Sequence, residues 1–365
     1  MGMAIGSPEG VMQLSRLLSA LSPVSTRREP CPIVWAVSRL PWRGGGTAVY
    51  WRRHTGKVSL NMDRRSFVKT GLVTGAVGVM GGAVVGRALA AAALRPDIVA
   101  VKGTDAFGST KTALQTLGGI GRFVTRGARV GLLINAPVNW WLEGSHTHME
   151  VPLAVAKLCF DAGAREVVSL PVLSPKFWGD SPLAKAHASV VSSIRSCSGR
   201  AVDTKVPDGV RLKSAKLRSE LLEVDVLVNI PIAKHHVGAV LSGNLKNMMG
   251  GADRETNRTF HVGADGYGDV DLLCQCIADL NTVRKPNLCV ADATVVLATN
   301  GPAGPGDLLK PLKVVVGTDA VAVDAYCAKL HQRNPKDILL FNKAVTAGLG
   351  RLDIEKLVVK DMRGA

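Results

Sequence analysis

Val224-Asp225-Val226-Leu227-Val228-Asn229-Ile230-Pro231 is an almost wholly apolar run closed by a proline. Such a run reads as a central strand buried on both faces, with Pro231 marking its end. Around it, short β-branched stretches alternate with helical ones. Residues 97–102 read as an opening strand, 110–117 as a helix and 129–134 as an apolar strand. The amphipathic stretch 149–161 is a helix closed by Ala162-Gly163. Further strands are expected at 167–170, 288–291 and 312–316, with helices at 269–280, 320–330 and 338–347. The alternation predicts an α/β fold with a mixed, largely parallel sheet flanked by helices. It occupies residues 96–365, as one large domain or two intimate lobes.

Upstream the chain changes character. Asp63-Arg64-Arg65-Ser66-Phe67-Val68-Lys69 precedes a Gly/Ala/Val run over 70–86 and an Ala-x-Ala end at Ala88-Leu89-Ala90. Paired arginines, a phenylalanine and a lysine in register before a soft apolar run have the layout of a twin-arginine export signal, placed here at 62–92. At 17 residues with several glycines, the apolar run is short for a stable spanning helix. The expectation is therefore an exported, periplasmic protein that engages the twin-arginine translocation machinery and does not span the membrane once mature. Residues 1–61 hold three of the six tryptophans and show no sustained period, and read as a disordered, over-extended gene start or a basic arm.

Net charge is +16, of which 1–61 supplies +6 and 62–95 supplies +4, leaving an ordinary +6 on 96–365. Aromatic residues are scarce and not interleaved with the basic ones, so the composition argues against a nucleic-acid partner. The six cysteines of the main domain form no CxxC pair and no ferredoxin-type run. Cys159, Cys276, Cys289 and Cys327 sit in apolar periodic contexts and read as buried thiols, while Cys197 and Cys274 are the candidates for a disulfide.

No GxGxxG, P-loop, HExxH or GxSxG occurs. The densest polar cluster follows the central strand: Lys234-His235-His236, then Ser242-Gly243-Asn244-Leu245-Lys246-Asn247. Ligands of open α/β sheets lie beyond the carboxyl ends of strands, which is where this cluster falls. Lys246 offers an anion-binding charge or a nucleophile, with Lys234, Asn244 and Asn247 as further ligand contacts. His235 and His236 are candidate metal ligands, although in an extended chain they face opposite sides. His261 suits proton transfer, and Asp292, at another strand end, suits a catalytic carboxylate. Asp319 fits a helix N-cap at least as well as a site, and Asp324 lies further along that helix.

Taken together, 231–236, 242–247, His261, 277–281, 285–292, Gly301-Pro302, 317–325 and 348–350 resemble the family known as domain of unknown function 362. A weaker match reaches Thr147-His148-Met149-Glu150. Many members of that family carry a ferredoxin-like cassette, and this chain lacks its cysteines. A second resemblance is to nickel-pincer lactate racemases, in which a histidine, a cofactor-bearing lysine and a later histidine occur in order. His236, Lys246 and His261 follow that order with gaps of ten and fifteen. It implies a Lys246-linked cofactor, metal ligation by His236 or His235, and proton transfer by His261. Three readings result: an enzyme using a cofactor or metal on a small anionic metabolite, a non-catalytic exported binding protein, and a redox-linked protein without its own iron–sulfur cassette.

Overall fold

The computed structural model describes residues 36–41, 47–53, 56–60 and 95–364, apart from 137–141, 180, 264, 265 and 267. The export signal and most of the N-terminal extension lie outside the described residues. Two compact units divide the chain, 1–89 and 90–365. In the first, β1 (Ala36–Pro41), β2 (Thr47–Arg53) and β3 (Gly56–Leu60) form an antiparallel meander in a segment whose sequence shows no evident strand period.

The second unit is one compact body rather than two lobes. Its main sheet contains β4 (Ile98–Lys102), β5 (Arg129–Ile134), β6 (Glu166–Ser169) and β7 (Ile194–Ser196). Two strands, β8 (Ala201–Lys205) and β9 (Ser214–Arg218), form a separate hairpin. The apolar run becomes β10 (Val226–Ile230), followed by a second hairpin of β11 (Lys234–His236) and β12 (Val240–Ser242). Then come β13 (Leu288–Ala293), the short pair β14 (Val296–Leu297) and β15 (Leu308–Leu309), β16 (Lys313–Gly317) and β17 (Val359–Arg363). The eight-stranded order is β17-β4-β16-β13-β10-β5-β6-β7. Only the β13–β16 and β16–β4 pairs are antiparallel.

Period-two alternation sends side chains to two cores. Val226, Val228 and Ile230 join Val130, Leu132 and Val99 on one face, while Leu227, Leu133 and Ala100 turn to the other. Helices α1 (Ala106–Thr116) and α2 (Glu150–Asp161) cover the first face through Leu114, Val151, Val155 and Cys159. The opposite core receives α5 (Val270–Val283), α6 (Ala320–Leu330) and α7 (Leu339–Thr346), with Ile277, Val321 and Phe341 at the contact. Between β12 and α5 lie two smaller helices, α3 (Asn244–Asn247) and α4 (Arg254–Val262). Asp105, Asp253, Asp269 and Asp319 cap α1, α4, α5 and α6 by accepting N–H bonds from the first turn.

Neighbouring strands β5 and β10 part company at their C-terminal ends. From β5 the chain crosses by α2 on one face to β6; from β10 it crosses by α5 on the opposite face to β13. Such a divergence is a topological switch point, and it opens a crevice at the strand ends. Among the described residues no helix is long and apolar enough to cross a membrane.

Candidate functional site

At that crevice Pro231 ends β10, a single bridge links Ile232 to Asp292, and the chain turns into the β11–β12 hairpin. Alternation along β11 puts Lys234 and His236 on one side and His235 on the other, as extended geometry requires. His236 Nδ1 accepts from the backbone N–H groups of Gly238 and Ala239, at 3.1 and 3.0 Å. The ring thereby staples the hairpin turn and keeps its hydrogen on Nε2.

Lys234 is 2% exposed, and its ammonium donates to the Ser145 carbonyl in the loop leaving β5. Burial first, then repulsion from the Lys246 amine, brings its pKa down to about 7. Lys246, on α3, is half-buried, and burial brings it down to about 8. His236 falls to about 3 through burial, then through Lys246, His261 and Lys234, which all lie within electrostatic reach. His146 is lowered by burial, then by Lys234 and His148. Two amines and three imidazoles thus gather at the switch point. His261 stands exposed on α4 and donates from Nδ1 to the Asn257 carbonyl at 2.7 Å, which leaves Nε2 as a proton acceptor.

The carboxylates at this end of the sheet are spent on architecture. Asp292 is fully buried; Oδ2 accepts from His148 N at 2.7 Å, and Oδ1 from Thr294 N and Oγ1 at 2.9 and 2.7 Å. It ties the histidine-bearing loop to β13. Asp324, buried within α6, accepts from Asn244 N and Nδ2 and from Leu245 N, at 2.7, 2.8 and 2.9 Å. Burial raises its pKa to about 6 against those three bonds. A Cβ on Gly243 would lie 2.4 Å from Asp324 Oδ1, so only glycine lets α3 dock on this carboxylate.

Asn244 and Asn247 hold the frame through their amide nitrogens, while the buried Asn244 Oδ1 accepts no hydrogen bond among the described residues. Asn247 Nδ2 donates to Leu133 O and Asn229 Oδ1 at 2.8 and 2.7 Å, and Asn229 Nδ2 donates to Asn244 O at 2.8 Å. This chain seats α3 over the ends of β5 and β10, and with it Lys246, whose charge reaches Lys234 and His236. Sequence reasoning missed it, although an asparagine inside Val-Leu-Val-Asn-Ile was the available signal: a buried amide in a central strand needs partners.

The metal role expected of His235 and His236 does not fit. His235 is on the far side, its Nδ1 accepting from Gly301 N at 3.0 Å. Each ring uses Nδ1 as an acceptor, so a neutral ring carries its hydrogen on Nε2 and lacks a lone pair there for a metal. No group of three His, Cys, Asp or Glu among the described residues is arranged to hold a metal ion. All six cysteines from 159 to 327 are free and buried, so Cys197 and Cys274 are not paired.

Fold and site together define an open α/β protein with a cationic crevice at its switch point. The chain belongs to the family Domain of unknown function (DUF362), which matches residues 134–329. That span contains every lysine, histidine and aspartate of the crevice described above. The Thylakoid-associated protein sll1697 of Synechocystis sp. is 25% identical over 246 residues, covering 63% of this chain and 71% of that protein. Among solved structures, the lactate racemase apoprotein from Thermoanaerobacterium thermosaccharolyticum overlaps 82% of this chain at 11% identity, with a TM-score of 0.37. This chain spans 61% of that structure's length, and a likeness so slight carries no argument.

Proposed function

We propose that the protein is an exported enzyme that binds a small anionic metabolite against Lys234 and Lys246 and moves a proton on it. The observation that carries this reading is the burial of Lys234 within electrostatic reach of Lys246, at the strand ends where open α/β sheets take their ligands. An anion placed there offsets the desolvation and mutual repulsion of the two ammonium groups. His261, with Nε2 open, is the base, and His236, with its hydrogen on Nε2, is a donor to the developing negative charge. Asp292, Asp324 and the asparagine chain position these groups. Export rests on the paired Arg64 and Arg65 ahead of the apolar run.

Lys246 is also placed to carry a covalent group, since an amine with a pKa of about 8 is partly neutral and nucleophilic at physiological pH. Intact mass checks this: an excess over the polypeptide should vanish in Lys246→Ala. For the reaction itself, small carboxylates and phosphates are incubated with the purified protein in deuterated water. Incorporation of deuterium into one of them should disappear in His261→Ala while binding persists, and Lys246→Gln should abolish binding. Saturable binding without exchange would make the protein a binding module, and binding indifferent to Lys246→Gln would sink the crevice altogether.

A further inference from the structure

We propose that a second cavity, on the outer side of the β11–β12 hairpin, binds a small carboxylate bearing a short apolar chain. The cavity measures about 160 Å³ and lies against the hairpin face opposite Lys234 and His236. Leu241, Leu309 and Leu330 supply an apolar wall; Arg333 supplies a cation at the rim, beside the neutral imidazoles of His235 and His331. At ~30 Å³ per water this is room for about five waters, the scale of a small metabolite rather than a structural solvent site.

The rim is chemically biased toward an anion. Among the described residues no salt bridge engages Arg333. Its guanidinium nonetheless acts on both imidazoles. His235 is lowered by burial and then by Arg333; His331 is lowered by burial, by His235 and by Arg333, against a bond to Ala233 O. His235 spends Nδ1 on Gly301 N, so a neutral ring keeps an N–H on Nε2. His331 is fixed by donating from Nε2 to Ala233 O at 2.7 Å. A planar guanidinium beside the His235 Nε2–H matches a carboxylate's two oxygens, and the leucines match an alkyl chain.

Backbone geometry adds a second sign. Val240 and Gln332, both lining the cavity, have φ of 64° and 55°. A β-branched residue at positive φ is a costly conformation, and such residues concentrate where a binding surface must be shaped. The rim residues 331 and 333 fall just beyond the family match at 329, while His235 and the Leu241 and Leu309 walls lie within it.

The test is calorimetric titration of the full chain, in a Lys246→Gln background so that the crevice does not contribute. Straight-chain carboxylates from acetate to hexanoate are compared with the corresponding primary alcohols. Affinity should tighten about fourfold per added methylene until the cavity is full. Alcohols should bind at least tenfold more weakly, and Arg333→Gln, at an exposed position, should weaken carboxylates by tenfold or more. Leu309→Trp, which fills the cavity, should remove binding, with circular dichroism checking that both variants fold. Absence of saturable binding at every chain length, equal affinity for alcohols, or an unaffected Arg333→Gln protein would each overturn the proposal. Because Lys246 is already removed, success or failure here is independent of the crevice reading.

Discussion

Replacing Lys234 by methionine should make the protein more stable near neutral pH, while destroying its proposed function. A lysine amine has an ordinary pKa of 10.5, and burial with the Lys246 charge brings it to about 7 in the folded chain. Between those values the unfolded chain holds a proton that the folded chain does not, so unfolding free energy rises with pH across that window. Below it the folded state bears the full cost of a buried ammonium. At ~1.4 kcal/mol per tenfold change in proton affinity, that cost is about 4–5 kcal/mol. Methionine keeps the stem's packing but forfeits the bond to Ser145 O, and an unsatisfied carbonyl costs ~1–3 kcal/mol. The net expectation is a variant about 2–3 kcal/mol more stable at pH 6, an advantage that shrinks as pH approaches 10. Lys246 titrates in both proteins and largely cancels. Urea unfolding followed by tryptophan fluorescence at pH 6, 8.5 and 10 measures the gap. A variant no more stable than wild type at pH 6, or a gap that does not change with pH, refutes the argument.

Anion binding at the crevice should take up protons. At pH 8 most of the Lys234 population and about half of the Lys246 population are neutral, an anion raises both pKa values, and titration in buffers of different ionisation heat should register uptake of more than one proton, smaller at pH 6. Gly243→Ala forces a methyl to within 2.4 Å of the Asp324 carboxylate. Loss of two of its three charge-assisted bonds should lower stability by about 3–6 kcal/mol, read as a fall in the urea midpoint. Maleimide labelling with mass mapping should leave Cys159, Cys197, Cys274, Cys276, Cys289 and Cys327 unmodified in the native protein and modify all six on unfolding without reductant.

Much of the fold was legible because its signals are local. The run ending in Pro231 is β10 with all five residues buried, and the helix expected at 149–161 is α2 to within a residue. The polar cluster after β10 does lie at a switch point, and Lys234, Lys246 and His236 do converge there. Strand direction was not legible: an apolar run looks alike in either sense, so nothing at 312–316 announces that β16 runs against β13. Residues 359–363 are half-buried only at Val359 and Met362, with Lys360 and Asp361 both exposed between them, a pattern without period two that does not declare β17. At the site, partner choice was hidden by sequence distance. Asp292 reads as a catalytic carboxylate until His148 N, 144 positions away, is seen to claim one of its oxygens. Asp324 likewise meets Asn244 across 80 residues. Neither pairing leaves a periodic trace.

One edge of the sheet has a bearing on how the chain is made. Strand β4 has β16 and β17 for neighbours, and both are synthesised more than 200 residues after it. On the ribosome β4 therefore emerges as an unpaired apolar ribbon and waits for almost the entire remaining chain. Closing so long a loop is slow, and the exposed ribbon is prone to aggregation meanwhile. Translation pauses, holdase chaperones and growth temperature should consequently govern the yield of this protein more than the strength of its finished core.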